Sequence, residues 1–81
     1  MLRPTVIRVE PQMDYHLILT FDNGEVKSFD VTPMMKGEWF SRLKDITYFN
    51  QAEADGFTVV WPDGQDICPD DLYYNSLPIG A

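Results

Sequence analysis

Residues 15–31, YHLILTFDNGEVKSFDV, constrain the fold more than any other stretch. Tyr15, Leu17, Leu19 and Phe21 alternate with His16, Ile18, Thr20 and Asp22, which is the period of a half-buried strand. Asp22-Asn23-Gly24 is a turn signal, and Glu25–Val31 reads as the returning strand. Two registers are open. A two-residue Asn23-Gly24 turn puts Leu17, Leu19 and Phe21 with Val26 and sends Phe29 and Val31 to the other face, giving a sheet covered partly on both sides. A three-residue Asp22-Asn23-Gly24 loop, a type I turn closed by Gly24 in a left-handed bulge, instead brings Phe29 and Val31 to the face of Tyr15, Leu17, Leu19 and Phe21. The second concentrates the apolar side chains and is preferred, because a slip of one residue moves every side chain across the sheet.

The remaining elements must cover that apolar face. Thr5–Glu10 is β-branched and bounded by Pro4 and Pro11, which predicts a first strand. Thr32-Pro33 stops the hairpin, and Met34–Lys36 reads as a single helical turn closed by Gly37. Residues 38–50 carry Trp39, Phe40, Leu43, Ile46 and Phe49 at helical spacing, with Asp45 placed to cap a second short helix. Gln51–Ala54 reads as a short strand, Asp55-Gly56 as a turn and Phe57–Trp61 as a later strand. Pro62–Gln65 is a tight turn with glycine where a positive φ is needed, and Asp66-Ile67 returns briefly. Pro69 opens a last helix to Tyr74, with Asp70 and Asp71 in its first turn. Leu77–Ala81 reads as a tail. The expected fold is a single α+β domain over residues 1–81. Its small, mainly antiparallel sheet holds the N-terminal strand, the 15–31 hairpin and the strand at 57–61, with short helices at about 38–50 and 69–75 packed on it. Phe21–Gly24 and Trp61–Gly64 both place an aromatic three residues before a turn glycine.

Charge says more than composition. All six basic residues lie in residues 1–44 beside six acids, whereas residues 45–81 hold seven acids and no base, so the net charge of −7 resides there. Phosphate backbones are bound by Lys and Arg, so direct nucleic-acid binding is not expected. No apolar run approaches a membrane span, and MLRPTVIRVEP has no apolar signal region. With Cys68 as the single cysteine, an internal disulfide is excluded and a cytoplasmic location is expected.

Chemistry is sparse. His16, the one histidine, has Asp14 and Asp30 nearby in sequence, but an exposed strand histidine is commoner than a general base. Cys68 precedes Pro69 at a helix start, where thiolates are favoured; neighbouring aspartates oppose this. Asp63, Asp66, Asp70 and Asp71 form the densest carboxylate group without calcium-loop spacing, so turn and helix-start roles account for them. No phosphate loop, zinc spacing or catalytic acid pair occurs. No cofactor or metal is expected, and the protein is read as a non-enzyme. Trp39, Trp61, Tyr73 and Tyr74 are aromatic candidates for anchoring a partner, with Trp39 favoured for the core.

Tyr15-x-Leu17-x-Leu19-x-Phe21-x-Asn23-Gly24-x-Val26, Phe29-Asp30-Val31-x-Pro33, Gly37-x-x-Phe40-x-x-Leu43-x-Asp45-x-x-x-Phe49 and Val60-Trp61-Pro62-Asp63-Gly64-x-Asp66-Ile67-x-Pro69-Asp70-x-Leu72-Tyr73 run through nearly the whole chain in order. Together they resemble the DUF2442 family of small bacterial proteins. The Trp-Pro-Asp-Gly turn, with Asp-Ile-x-Pro-Asp-x-Leu-Tyr behind it, is the most specific part. Cys68 stands where the family more often has a small or acidic residue, so thiol chemistry is not implied. The resemblance implies a small α+β domain similar to the N-terminal domain of a protein that carries a helix-turn-helix module. Some relatives are fused to such a module, and others resemble members of toxin–antitoxin-like gene pairs. The chain ends at Ala81 and is expected to lack the DNA-reading part.

The functional expectation is a non-catalytic interaction or regulatory module with an acidic C-terminal half. Asp63, Asp66, Asp70, Asp71, Tyr73 and Tyr74 are the candidate partner-binding residues. The partner is a small basic protein or, through a sheet edge, a second copy. The alternative is a small-molecule domain with a pocket between the sheet and the helix carrying Trp39 and Phe40.

Overall fold

A computed structural model describes residues 4–79, apart from the side chain of Trp39. Strands β1 (Val6–Pro11), β2 (His16–Phe21), β3 (Val26–Asp30) and β6 (Leu77–Pro78) form one antiparallel sheet in the order β1-β2-β3-β6. A second sheet pairs β4 (Glu53–Ala54) with β5 (Val59–Val60), and β4 runs beside β1. Three short helices are α1 (Glu38–Ser41), α2 (Ile46–Phe49) and α3 (Pro69–Tyr74). The fold is α+β, as the sequence predicts.

The hairpin takes the bulged register. Leu17 faces Phe29 and Leu19 faces Lys27, while the Phe21 amide donates to the Glu25 carbonyl and the Gly24 amide to that of Phe21. Gly24 has φ +90°, the left-handed conformation this loop demands. Leu17, Leu19, Phe21, Phe29 and Val31 are consequently all buried on one face. The same pair of backbone bonds closes the turn from Trp61 to Gln65, with Gly64 at φ +100°. It closes a third turn, from Gln12 to His16, where the left-handed residue is Tyr15 at φ +66°. Tyr15 therefore belongs to a turn rather than to the regular strand. Its ring packs edge-on against Phe49, with centroids 5.3 Å apart, and its hydroxyl donates to the Lys44 carbonyl.

Other expectations are revised by local hydrogen bonding. Residues 38–50 are not one helix: Asp45 is extended at ψ 111° and its carboxylate accepts from the Thr47 amide at 3.0 Å, which caps α2, and residues Arg42–Lys44 tighten into a 3-10 turn. Leu43 and Phe49 are buried and Phe40 and Ile46 half-buried, as the spacing predicts, but Tyr48 is buried as well. The expected core position of Trp39 lies outside the described side chains. The helical turn after the hairpin spans Thr32–Met34 rather than Met34–Lys36. The strand expected at 57–61 narrows to Val59–Val60 and pairs with β4 instead of joining the hairpin. Asp55 explains the late start, because its carboxylate accepts from the Phe57 and Thr58 amides at 2.9 and 2.8 Å and holds both residues in a turn. At the other end Trp61 already begins the bulged turn. Residues Leu77–Pro78, expected as tail, form β6 opposite Ser28 and Lys27, a place where proline is tolerated because the sheet ends there; Gly80 and Ala81 lie outside the described residues.

The core is one cluster between the large sheet and the helical side, built from the inward strand residues with Met35, Leu43, Phe49, Trp61, Ile67 and Leu72 among others. Polar groups inside it are satisfied. Trp61 Nε1 donates to the Phe49 carbonyl at 3.0 Å, and the Tyr48 hydroxyl donates to Gln65 Oε1 at 2.7 Å while accepting from the Asp63 amide at 2.8 Å.

Candidate functional site

The structure disperses the residues singled out from sequence. Asp63 sits in the Trp61–Gln65 turn with its carboxylate 2.5 Å from Arg42, whose guanidinium lies over the Tyr48 ring. Asp66 bridges by backbone to Val60 and is exposed. Asp70 and Asp71 occupy the first turn of α3, and both are exposed. Tyr73 is half-buried and ties α3 to the hairpin. Its ring meets Phe21 edge-on at 5.0 Å, Lys27 Nζ lies 4.0 Å from its centroid and bonds its carbonyl at 2.6 Å, and its hydroxyl donates to Glu25. That hydroxyl, then Asn23 and the Lys27 charge, hold the Glu25 carboxyl below its usual range, and the same bond pushes the Tyr73 phenol up. Lys27 is buried because the bulged register places it on the core face. Tyr74 stacks edge-on against Tyr73 and remains 68% exposed.

One cleft gathers side chains from three elements. It has a volume of about 350 Å³ and is lined by Phe29 and Asp30 of β3, Pro33 and Met34 of the following turn, and Asp71 and Asn75 of and after α3. Its formation follows from Asp30. The carboxylate Oδ1 accepts from the Thr32 amide at 3.0 Å and hydroxyl at 2.7 Å, which turns the chain out of β3 and stacks Pro33 and Met34 beside Phe29. The Thr32 hydroxyl, with the Thr32 amide and the His16 charge, holds Asp30 below the ordinary carboxylate range, so it is an anion at neutral pH. No described residue bonds Asp30 Oδ2 or the Asp71 carboxylate, and no basic residue lines the cleft. An apolar floor with two carboxylates complements an aliphatic chain ending in a cation. The cleft opens at α3; the pocket that the alternative reading expects beside Trp39 and Phe40 involves a side chain outside those described. Asp71 is legible in the sequence as an acid in a first turn; Phe29, Met34 and Asn75 carry no such signal, since only the fold brings them together.

Elsewhere the chemistry stays thin. His16 Nδ1 lies 3.2 Å from Asp14 Oδ1 in an open depression on the uncovered face of the sheet, and Ser28 lines the same depression without a hydrogen bond to the imidazole. Cys68 is exposed at the start of α3 and makes no side-chain cap. Among the described residues no group of three His, Cys, Asp or Glu is placed to hold a metal ion, and no helix is long and apolar enough to cross a membrane.

No curated protein and no solved structure matches the chain. The model of a family described as a protein of unknown function, DUF2442, matches residues 6–78, so the chain belongs to that family.

Proposed function

We propose that the protein is a non-catalytic interaction module that takes a cationic side chain of a basic partner segment into the cleft between β3, the Pro33 turn and α3. The carrying observation is the juxtaposition of Phe29, Pro33 and Met34 with the carboxylates of Asp30 and Asp71. An arginine suits it best: its stem lies on the apolar floor and its planar fork meets carboxylates, a combination common at interface anchors. The net charge of −7, with no base after Lys44, steers a basic partner toward this side. A small basic protein encoded beside this one, as in toxin–antitoxin-like pairs, fits the reading.

The test is a titration with N-acetyl-arginine-N′-methylamide, with the neutral citrulline analogue as control, followed by amide chemical shifts. Arginine should move the Phe29, Met34 and Asn75 signals at millimolar concentration, citrulline should not, and Asp71→Asn should weaken the arginine effect several-fold. Equal shifts with both probes would instead favour a small-molecule site that reads apolar shape. No shift with either would overturn the cleft as an anchor.

A further inference from the structure

Asn23-Gly24 joins a carboxamide to the backbone nitrogen best able to attack it, because glycine has no side chain to hinder the approach. Both residues are exposed to water, and no other group lies within 4 Å of where a Gly24 Cβ would stand. In the folded loop the reacting groups are nevertheless pinned. The Gly24 amide donates to the Phe21 carbonyl at 2.9 Å. The Asn23 carboxamide is held at both ends by one residue: its Oδ1 accepts from the Glu25 amide at 3.0 Å, and its Nδ2 donates to Glu25 Oε1. The same Glu25 oxygen accepts from the Tyr73 hydroxyl of α3. For ring closure the carboxamide must turn away from Glu25 and the Gly24 N–H must leave Phe21, so the loop has to open first.

We propose that Asn23 is a site of spontaneous deamidation, gated by the docking of α3 on the hairpin. The step needs water alone. The Gly24 nitrogen gives its proton to hydroxide and bonds to Asn23 Cγ. The Cγ–Nδ2 bond then breaks, and ammonia leaves with a proton from water, which restores the hydroxide. A further water adds to the succinimide and opens it to aspartate or isoaspartate. The product undoes the tie that slowed it. Aspartate cannot donate to Glu25 and sets a second carboxylate beside it, and isoaspartate also routes the backbone through the side chain. Repulsion moves the Glu25 carboxylate away, and the Tyr73 hydroxyl loses its aligned acceptor.

Where closing outpaces attack, the modification rate is the open fraction of the loop multiplied by the rate in the unfolded chain. Losing one hydrogen bond from the closed state raises that fraction about 2- to 10-fold.

The test is incubation of the whole chain in mildly alkaline buffer, folded and in urea, with peptide mapping by mass spectrometry. In urea Asn23 should convert ahead of Asn50 and Asn75, which precede Gln51 and Ser76. In the folded chain it should convert at least about tenfold more slowly. Tyr73→Phe should speed the folded-state conversion about 2- to 10-fold and leave the rate in urea unchanged. Tyr48→Phe, which removes bonds to Gln65 and Asp63 and none to the loop, should leave both rates unchanged. Asn23→Asp, the product made genetically, should speed hydrogen exchange of the Leu72 and Asn75 amides, which bond the Cys68 and Asp71 carbonyls in α3. Equal rates folded and in urea would overturn the proposal. So would a folded rate that Tyr73→Phe leaves unchanged or that Tyr48→Phe raises as much, and so would unaltered α3 exchange in Asn23→Asp. None of these measurements involves a ligand of the cleft, so failure here is distinct from failure of the cleft reading.

Discussion

Replacing Tyr15 should reverse the usual ranking of alanine and glycine. Its φ of +66° is the one positive value among described non-glycine residues, at a turn position that Gly24 and Gly64 occupy in the two sister turns. A left-handed residue other than glycine costs about 1–2 kcal/mol. The ring offsets this. Half-burial of an aromatic removes roughly 100 Å² from water, about 2.5 kcal/mol at 25 cal/mol/Å². The edge-on contact with Phe49 adds about 0.5–1.5 kcal/mol, and the hydroxyl bond to Lys44 about 0.5–1.5 kcal/mol. Tyr15→Phe should therefore cost only that last amount. Tyr15→Ala loses ring and hydroxyl but keeps the strain, about 3.5–5.5 kcal/mol in all. Tyr15→Gly loses the same contacts and releases the strain, so it should be about 1 kcal/mol more stable than the alanine variant. At an ordinary φ, glycine would be about 0.5–1 kcal/mol less stable than alanine. Urea unfolding followed by fluorescence and far-ultraviolet circular dichroism measures both. An alanine variant as stable as the glycine variant would refute the claim that packing holds this residue in a strained conformation.

Acid should loosen the contact between α3 and the hairpin. Glu25 has a folded pKa below its usual 4.5, so its stabilisation is fully present above that value and is lost as pH falls through the lower folded one. The urea midpoint of Glu25→Gln should accordingly vary less with pH below about 4.5 than that of the parent, and Tyr73→Phe should flatten the same limb; unchanged acid limbs in both would count against the pairing. Tyr48→Phe removes a donor to buried Gln65 and an acceptor for the Asp63 amide, and should cost about 1–3 kcal/mol in urea unfolding. A loss under about 0.5 kcal/mol would mean that neither bond matters to stability.

Much of the scaffold is legible from residue spacing. The bulged loop at Asp22–Gly24 follows from counting which register gathers Phe29 and Val31 with the strand-two residues, and α3 follows from Pro69 and the acids behind it. Tyr15 is misleading because its side chain continues the strand alternation, while its backbone answers to Phe49 and Lys44, far along the chain. Leu77–Pro78 resembles a tail because two residues carry no periodicity; their strand character comes wholly from β3 beside them. The cleft is invisible in the sequence for a related reason. Asp30 capping Thr32 is a local event, but Asp71 and Asn75 reach it only after α3 docks through Tyr73, Lys27 and Glu25. The burial of Lys27 is implicit in the preferred register, which places it on the core face, but its partners on Tyr73 are 46 residues away and no local pattern announces them.

The late arrival of β6 also sets an order of assembly. Lys27 and Pro78 are partners 51 residues apart (78 − 27), whereas β2 and β3 close across a three-residue loop. The local hairpin forms quickly, and the distant pairing waits on loop closure. During synthesis β3 therefore leaves the ribosome as an open edge and stays one until residue 78 has emerged, which makes the nascent chain most prone to wrong strand pairing in that interval.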